Sequence, residues 1–206
     1  DGFTAYPGKR SRPPNPVIHS KHKDTMEQKP EILDTRLIHR SRLFGIEEVH
    51  LRFSNGTECQ FERLRTPPIA GVMCVPLLDD NTVVLIREYG AGTEEYHLTL
   101  PKGGYEHGEE WREAANRELQ EEAGYASGRM TFLKDMTLSP GYMGHHIRAV
   151  LAEDLHESRL PGDEPEPLEV LTWELSRLDE LMARDDMNEA RVIAALYMVK
   201  AMKSGG

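Results

Sequence analysis

Cysteine is nearly absent from this chain: Cys59 and Cys74 are the only two. Two thiols so spaced imply no disulfide framework, and such a chain suits a reducing cytoplasm. Long apolar runs are missing too. Nothing approaches the roughly 20 residues that cross a bilayer, and the opening residues hold no apolar core of a secretory signal. Positive charge is scarce, with 25 Lys and Arg against 35 Asp and Glu, a formal charge of −10. That balance counts against a nucleic-acid binder. It also repels phosphate groups, so a chain of this charge that handles a diphosphate needs a bound cation and locally placed arginines. No segment repeats, which excludes a solenoid. Against these absences stand 206 residues, 38% hydrophobic and 29% charged, enough for one sizeable domain or a smaller one with an appendage.

The most informative stretch is Gly103 to Tyr125, GGYEHGEEWREAANRELQEEAGY. A glycine loop, Lys102–Gly108, leads into a helix predicted over Glu109 to Ala123 and closed by Gly124. At 3.6 residues per turn Glu118 and Glu122 share a face, with Glu121 beside them. Trp111, Ala114 and Ala115 share that face, while Glu113, Asn116 and Gln120 point away. Acids set into an apolar stripe repel one another and lose hydration unless a cation offsets both costs. Hard divalent cations prefer carboxylate oxygens, and Mg²⁺ commonly bridges a carboxylate to a substrate phosphate. The bland alternative is a solvated helix laced with ion pairs such as Glu113–Arg117; Arg112, inside the apolar arc, favours it. The glycine loop and the spacing favour the metal.

Gly103, five residues, Glu109, seven residues, Arg117-Glu118, apolar Leu119, one residue, Glu121-Glu122, one residue, Gly124, apolar Tyr125: this run resembles a complete Nudix box. A looser likeness, from about Thr35 to Leu196, is to the ADP-ribose diphosphatase branch and, within it, the bacterial NudE-type ADP-compound hydrolases. It rests on SRLFGIEEVHLRFSNGTECQFERLR, VLIREYGAGTEEYHL and GDEPEPLEV. The resemblance implies an α/β (α+β) Nudix fold, an α/β/α sandwich with a mixed sheet, plus a small N-terminal antiparallel β appendage.

Along the chain, residues 1–29 are basic and carry Pro7, Pro13, Pro14 and Pro16 without apolar periodicity. They read as a flexible leader, with Met26 as a natural start or the whole as a native arm. Residues 30–66 read as the β appendage. Phe44–Phe53 alternates, Ser54-Asn55-Gly56-Thr57 turns, and Cys59–Leu64 alternates back. A small sheet buries little alone and must pack on another surface. The family implies exchange between the subunits of a homodimer; folding back on its own domain is the simpler option. Residues 67–203 read as the hydrolase domain. Its strands are expected at Ala70–Leu78, Val83–Glu88, Tyr96–Leu100, Met130–Leu133, His146–Ala152 and Glu169–Trp173. The apolar runs of the first two mark strands buried on both faces. Ser176 with Asp179 resembles a capping box, and Asn188 is placed to cap a last helix with Val192, Ala195, Leu196 and Val199 on one stripe.

Hydrolysing a diphosphate requires neutralised oxygens, an aimed water and a base. Glu118 and Glu122, then Glu121, are the candidate ligands of Mg²⁺ or Mn²⁺, and the Lys102 carbonyl is a further one; Glu121 and Glu122 also stand as catalytic candidates. Gly103 and Gly104 allow backbone to approach phosphate. The family resemblance implies further roles. By it, Glu109, Arg117 and Gly124 are structural, with Arg117 orienting the acids. It draws the base from a later acidic loop, which assigns that role to Glu164 and an extra metal contact to Glu166, although such a loop is ordinarily a solvated turn. It puts Arg63, Arg87 and Glu88 at substrate-binding positions; equally, each arginine could be a partner for Glu62 or Glu88. Phe44, Tyr89 and Tyr142 can stack on a base, though a single aromatic is more often core. In the resembled family Pro140 marks ADP-ribose hydrolases and Tyr142 marks diadenosine polyphosphate hydrolases, while the NADH-hydrolase tract is missing. The expected substrates are ADP-ribose, diadenosine polyphosphates and NADH, cut to AMP and a second phosphate. A non-catalytic nucleotide sensor is the alternative of another class; keeping Glu118, Glu121 and Glu122 together counts against it. An RNA-decapping enzyme is disfavoured by the acidic charge.

Overall fold

Gly71–Pro76 (β4) is buried at every position, as its unbroken apolar run predicts. In the computed structural model, which describes residues 28–65 and 71–204, this strand lies between antiparallel Lys102–Gly104 (β7) and parallel His146–Glu157 (β9). Tyr125–Thr137 (β8) completes the sheet in the order β7-β4-β9-β8. A second sheet places Thr82–Gly90 (β5) between Glu169–Glu174 (β10) and Glu95–Thr99 (β6).

Strand alternation divides the core into two. Val72, Cys74, Val84, Ile86, Val150 and Ala152 face Ala114, Ala115 and Leu119 of the helix Trp111–Glu118 (α1) and its continuation. Met73, Val75, Val83, Leu85, Ala149 and Leu151 face the opposite way. They meet Leu178 and Leu181 of Leu178–Met182 (α2) and Val192, Ala195, Leu196 and Val199 of Ala190–Ser204 (α3). Each large apolar side chain buried there contributes about 1.5–3 kcal/mol. The result is the expected mixed α/β sandwich with helices on both faces.

Glu31–Arg40 (β1), Gly45–Arg52 (β2) and Glu58–Arg65 (β3) form a separate antiparallel sheet in the order β1-β2-β3. The Ser54–Thr57 turn falls where expected, with Gly56 at φ 80°. This sheet meets the rest through Leu64, whose N–H donates to the Tyr142 carbonyl at 2.7 Å. Much of its apolar surface stays open: Ile32, Leu37, Ile38, Phe44 and Phe61 are all exposed. The leader, up to residue 27, lies outside the described residues.

Several local expectations are corrected. Helix α1 starts at Trp111, because the Glu113 carboxylate accepts the Glu110 N–H at 3.0 Å and caps the first turn. That engagement takes Glu113 away from Arg117. Ser176 does not cap α2: its N–H and hydroxyl bond to Asn81, and Leu175–Arg177 forms a 3₁₀ turn first. The Asn188 amide donates back to the Asp185 carbonyl, and the Glu189 carbonyl accepts from Ile193 at the start of α3. Phe44, Tyr89 and Tyr142 are not core; about half of each is exposed.

Candidate active site

The acidic helix does not end as an ideal α-helix. Leu119–Ala123 widens into a π-helical segment, and Gly124 closes it at φ 78°, its N–H bonded to the Leu119 carbonyl. Such wide turns recur at functional sites, where they re-aim side chains. Glu118 and Glu122, on either side of the junction, are buried to 8% and 6% exposure.

Arg117 is the hub. Its guanidinium reaches Glu109 at 3.0 and 3.1 Å, Glu118 at 2.7 Å, Glu121 at 2.9 Å and the Gly104 carbonyl at 2.8 Å. A planar fork of five donors suits this task, and a lysine's point charge does not. One side chain thus ties loop, helix start and helix end together. Glu122 Oε2 accepts the Lys102 N–H at 3.0 Å, and the Lys102 ammonium pairs with Glu88.

Gly103 is needed for space rather than for a left-handed turn. It is not among the positive-φ glycines, yet a Cβ there would overlap the Glu118 carboxyl group, both oxygens included. The first three residues of the expected glycine loop are strand β7, and its backbone therefore lies directly on a carboxylate.

The electrostatics follow from burial. Desolvation raises the Glu118 pKa against the pull of Arg117, with Glu121 and Asp163 adding to the rise. Burial pushes Glu122 up to about 8, opposed by the Lys102 N–H and ammonium and reinforced by Glu118 and Glu88. Glu164 is raised as well, by burial first and then by Glu88 and Asp163, while Lys102 lowers it. The later acidic loop lies against the helix: Gly162 comes up to the Glu121 backbone, and Glu121 lines an open cavity with Glu164 and Glu166. Asp163 and Tyr96, whose hydroxyl meets Glu166, carry no signal of their own in the sequence. Only Asp163's position beside Glu164 offers a hint.

The remaining predicted residues have partners of their own. Arg87 is held by Glu169 and Asp186, each at 2.8 Å, and not by Glu88. Arg63 pairs with Glu47, its register partner across β2–β3, and not with Glu62. Pro140 and Tyr142 lie on the turn between β8 and β9, which meets β3. Leu138 of that turn joins Glu88, Lys102, His97 and Glu189 around an open cavity of about 490 Å³ beside the acids.

The acids suit a hard divalent cation, since oxygen donors on a half-buried face are what such ions take. Among the described residues no three acidic, histidine or cysteine side chains are already gathered as a metal cage. Glu118 turns to Arg117 and Glu122 to the Lys102 N–H, which parts the carboxylates between two donors.

A family model described as the NUDIX domain matches residues 67–196. The chain belongs to the Nudix family. Residues 30–63 match a second description, the NudE-type Nudix hydrolase N-terminal domain. Among curated relatives, ADP compounds hydrolase NudE of Escherichia coli (strain K12) is 45% identical over 178 residues, 86% of this chain and 95% of that protein. An ADP-ribose pyrophosphatase of Bacillus subtilis (strain 168) is 27% identical over 177 residues, covering 82% and 94%. A methanol dehydrogenase activator of Bacillus methanolicus is 24% identical over 174 residues, covering 84% and 93%. A crystal structure of an ADP compounds hydrolase superposes with a TM-score of 0.80 at 45% identity, over 86% of this chain and 96% of its own. The fold is thus that of a Nudix hydrolase, a family whose members generally depend on divalent metal. No helix among the described residues is long and apolar enough to cross a membrane.

Proposed function

We propose that this Nudix hydrolase cleaves the diphosphate linkage of ADP-ribose and related ADP-containing compounds, giving AMP and a second phosphate such as ribose 5-phosphate. The observation that carries the reading is the buried acid pair beside Glu121: Glu118 is braced by Arg117 against a backbone with no side chain at Gly103, and Glu122 is held by the Lys102 N–H. The names of two relatives, an ADP compounds hydrolase and an ADP-ribose pyrophosphatase, support the substrate class.

Mg²⁺ or Mn²⁺ would be held by Glu118, Glu122 and Glu121, with the Lys102 carbonyl and Glu166 as further ligands. When bound, the ion supplies charge neutralisation at the phosphate oxygens. The chain's own groups do the rest. Arg117 fixes the acids. Gly103 and Gly104 let backbone N–H groups lie close to phosphate. Glu164 takes the proton of the attacking water; its raised pKa brings it nearer the operating pH, as a general base requires. Arg63 and Arg87 bind the diphosphate by exchanging a carboxylate partner for a phosphate oxygen. Tyr142 and Pro140 are the further substrate contacts in this reading, and diadenosine polyphosphates and NADH share the ADP half that is read.

The protein acts as a homodimer in this reading. The exposed Ile32, Leu37, Ile38 and Phe61 of the N-terminal sheet, with Phe44 beside it, support it, since a sheet this small that leaves so many large apolar side chains open is suited to packing on a partner. Its location in this reading is the cytoplasm, with which two free cysteines are compatible.

The test is a substrate panel of ADP-ribose, diadenosine triphosphate, NADH and nucleoside triphosphates, with and without Mg²⁺, with products resolved by chromatography. Metal-dependent AMP release from ADP-ribose is expected. Turnover that ignores metal, or survives charge-neutral replacement of Glu118 and Glu122, would overturn the assignment.

A further inference from the structure

Tyr96 has no part in the acid cluster. It sits on β6 opposite Tyr89, and the two rings meet edge to face at 5.2 Å, so packing alone sets the ring. Its hydroxyl donates to Glu166 Oε1 at 2.5 Å. The loop that carries Glu166 is tied down at both ends. At its entry the Ser158 N–H donates to the Gly124 carbonyl at 3.0 Å and the Ser158 hydroxyl donates to Gln120 at 2.8 Å. At its exit Arg87 grips Glu169. Between Pro161 and Leu168, the Tyr96–Glu166 bond is the only side-chain hydrogen bond to the rest of the molecule among the described residues.

The intervening sequence is Asp163-Glu164-Pro165-Glu166-Pro167. Each proline locks its own φ, and each glutamate before a proline is restricted to extended backbone. Glu164 and Glu166 are therefore two points on one stiff strut, and fixing Glu166 limits where Glu164 can go. We infer that Tyr96 is a positioning residue for hydrolysis: its hydroxyl takes one oxygen of Glu166, leaves the other free, and through the proline-braced strut holds Glu164 at the open cavity it lines with Glu121. This rests on the reading of Glu164 as base.

The experiment measures kcat and KM for ADP-ribose at saturating Mg²⁺ in Tyr96→Phe, Glu164→Gln and the double variant. Hydrogen exchange of the Gly162, Asp163, Glu164, Glu166 and Leu168 amides is measured in parallel. Phenylalanine keeps the ring on Tyr89 and removes only the donor. Tyr96→Phe is expected to lower kcat about tenfold, the worth of one hydrogen bond to a charged group, with KM and melting temperature unchanged and faster exchange in the loop. In the Glu164→Gln background it is expected to cost nothing more, because the group it positions is already gone. Normal kcat in Tyr96→Phe beside an impaired Glu164→Gln overturns the inference, as does the same tenfold loss in both backgrounds. Normal turnover in Glu164→Gln defeats the base assignment instead, and the exchange measurement then decides separately whether Tyr96 holds the loop.

Discussion

Adding one methyl group at Gly103 tests the site with the least ambiguity. A Cβ there would come within 3.0 Å of the Glu118 carboxyl carbon and both of its oxygens. Glu118 is 8% exposed and hydrogen-bonded to Arg117 at 2.7 Å, so it cannot swing clear without breaking that bond. Overpacking of this kind costs about 1–3 kcal/mol, and a chain of this size loses about 2–4 °C of melting temperature per kcal/mol. Gly103→Ala should therefore melt several degrees lower. Because it displaces a proposed metal ligand, it should also raise the Mg²⁺ concentration for half-maximal rate by about 10–100-fold, the usual cost of disturbing a metal's supporting shell. Stability alone would not prove the cause, so Glu118→Ala completes a cycle. With the carboxylate gone the three atoms nearest the added methyl are removed, and Gly103→Ala should then cost about 1–3 kcal/mol less than it does in the parent. Calorimetry on the four proteins reads the coupling. If the two substitutions add to within about 0.5 kcal/mol, the close approach of the β7 backbone to the carboxylate is not what fixes glycine there.

Three other measurements bear on different parts of the molecule. Glu164→Gln should lower kcat about 10²–10⁴-fold with little change in melting temperature; steady-state kinetics decides it, and near-normal turnover removes Glu164 from the mechanism. Asp186 is held down to about 2, first by its hydrogen bond from Arg184 and also by Arg87. Its folded pKa is depressed, so its contribution is complete above the ordinary carboxylate range and is lost as pH falls from about 4 through 2. After allowance for its partial exposure, Asp186→Asn should cost about 1–2 kcal/mol at pH 7 and flatten acid unfolding between about pH 4 and 2; a curve parallel to the parent's refutes this. Leu196→Ala, in the fully buried α3 stripe, should cost about 2–5 kcal/mol and leave kcat per folded molecule intact, as chemical denaturation and an active-site titration would show.

Much of this was legible in the residues because local rules enforce it. The 3.6-residue repeat put Glu118, Glu122, Ala114 and Ala115 on one side, and all four are buried. The apolar runs of β4 and β5 announced strands covered on both faces. Gly124 stopped the helix in the left-handed conformation only glycine adopts cheaply. What could not be read was set by partners far along the chain. Ser176 resembled a cap by its own neighbourhood, but Asn81 reaches it across 95 positions and captures both its N–H and its hydroxyl. Arg63 and Arg87 were given adjacent acids by sequence proximity, whereas strand pairing delivers Glu47 to one and Glu169 to the other. The same holds for Tyr96: nothing near it in sequence suggests that a loop 70 residues later will meet its hydroxyl.

The arrangement of charge explains why stability and function pull against each other here. A protein built only to be stable would not bury Glu118 and Glu122 a few residues apart; each loses hydration, and Glu118 raises the Glu122 pKa further. The chain offsets part of that cost with Arg117, with the Lys102 N–H, and with the ammonium of Lys102 shared with Glu88. Yet Glu121, Asp163 and Glu164 bring further negative charge to the same place. Arg117 is already hydrogen-bonded to Glu109, Glu118 and Glu121, with Glu106 3.9 Å away, so one guanidinium is divided among four carboxylates. The uncompensated negative potential is the property a divalent cation needs, and it is also what keeps an anionic diphosphate out until that charge is reversed. Metal and substrate should therefore bind in order or together, and raising Mg²⁺ should tighten apparent ADP-ribose affinity. Isothermal titration of ADP-ribose into Glu164→Gln protein at several Mg²⁺ concentrations measures this directly, and an affinity independent of Mg²⁺ would show that the acids do not govern substrate entry.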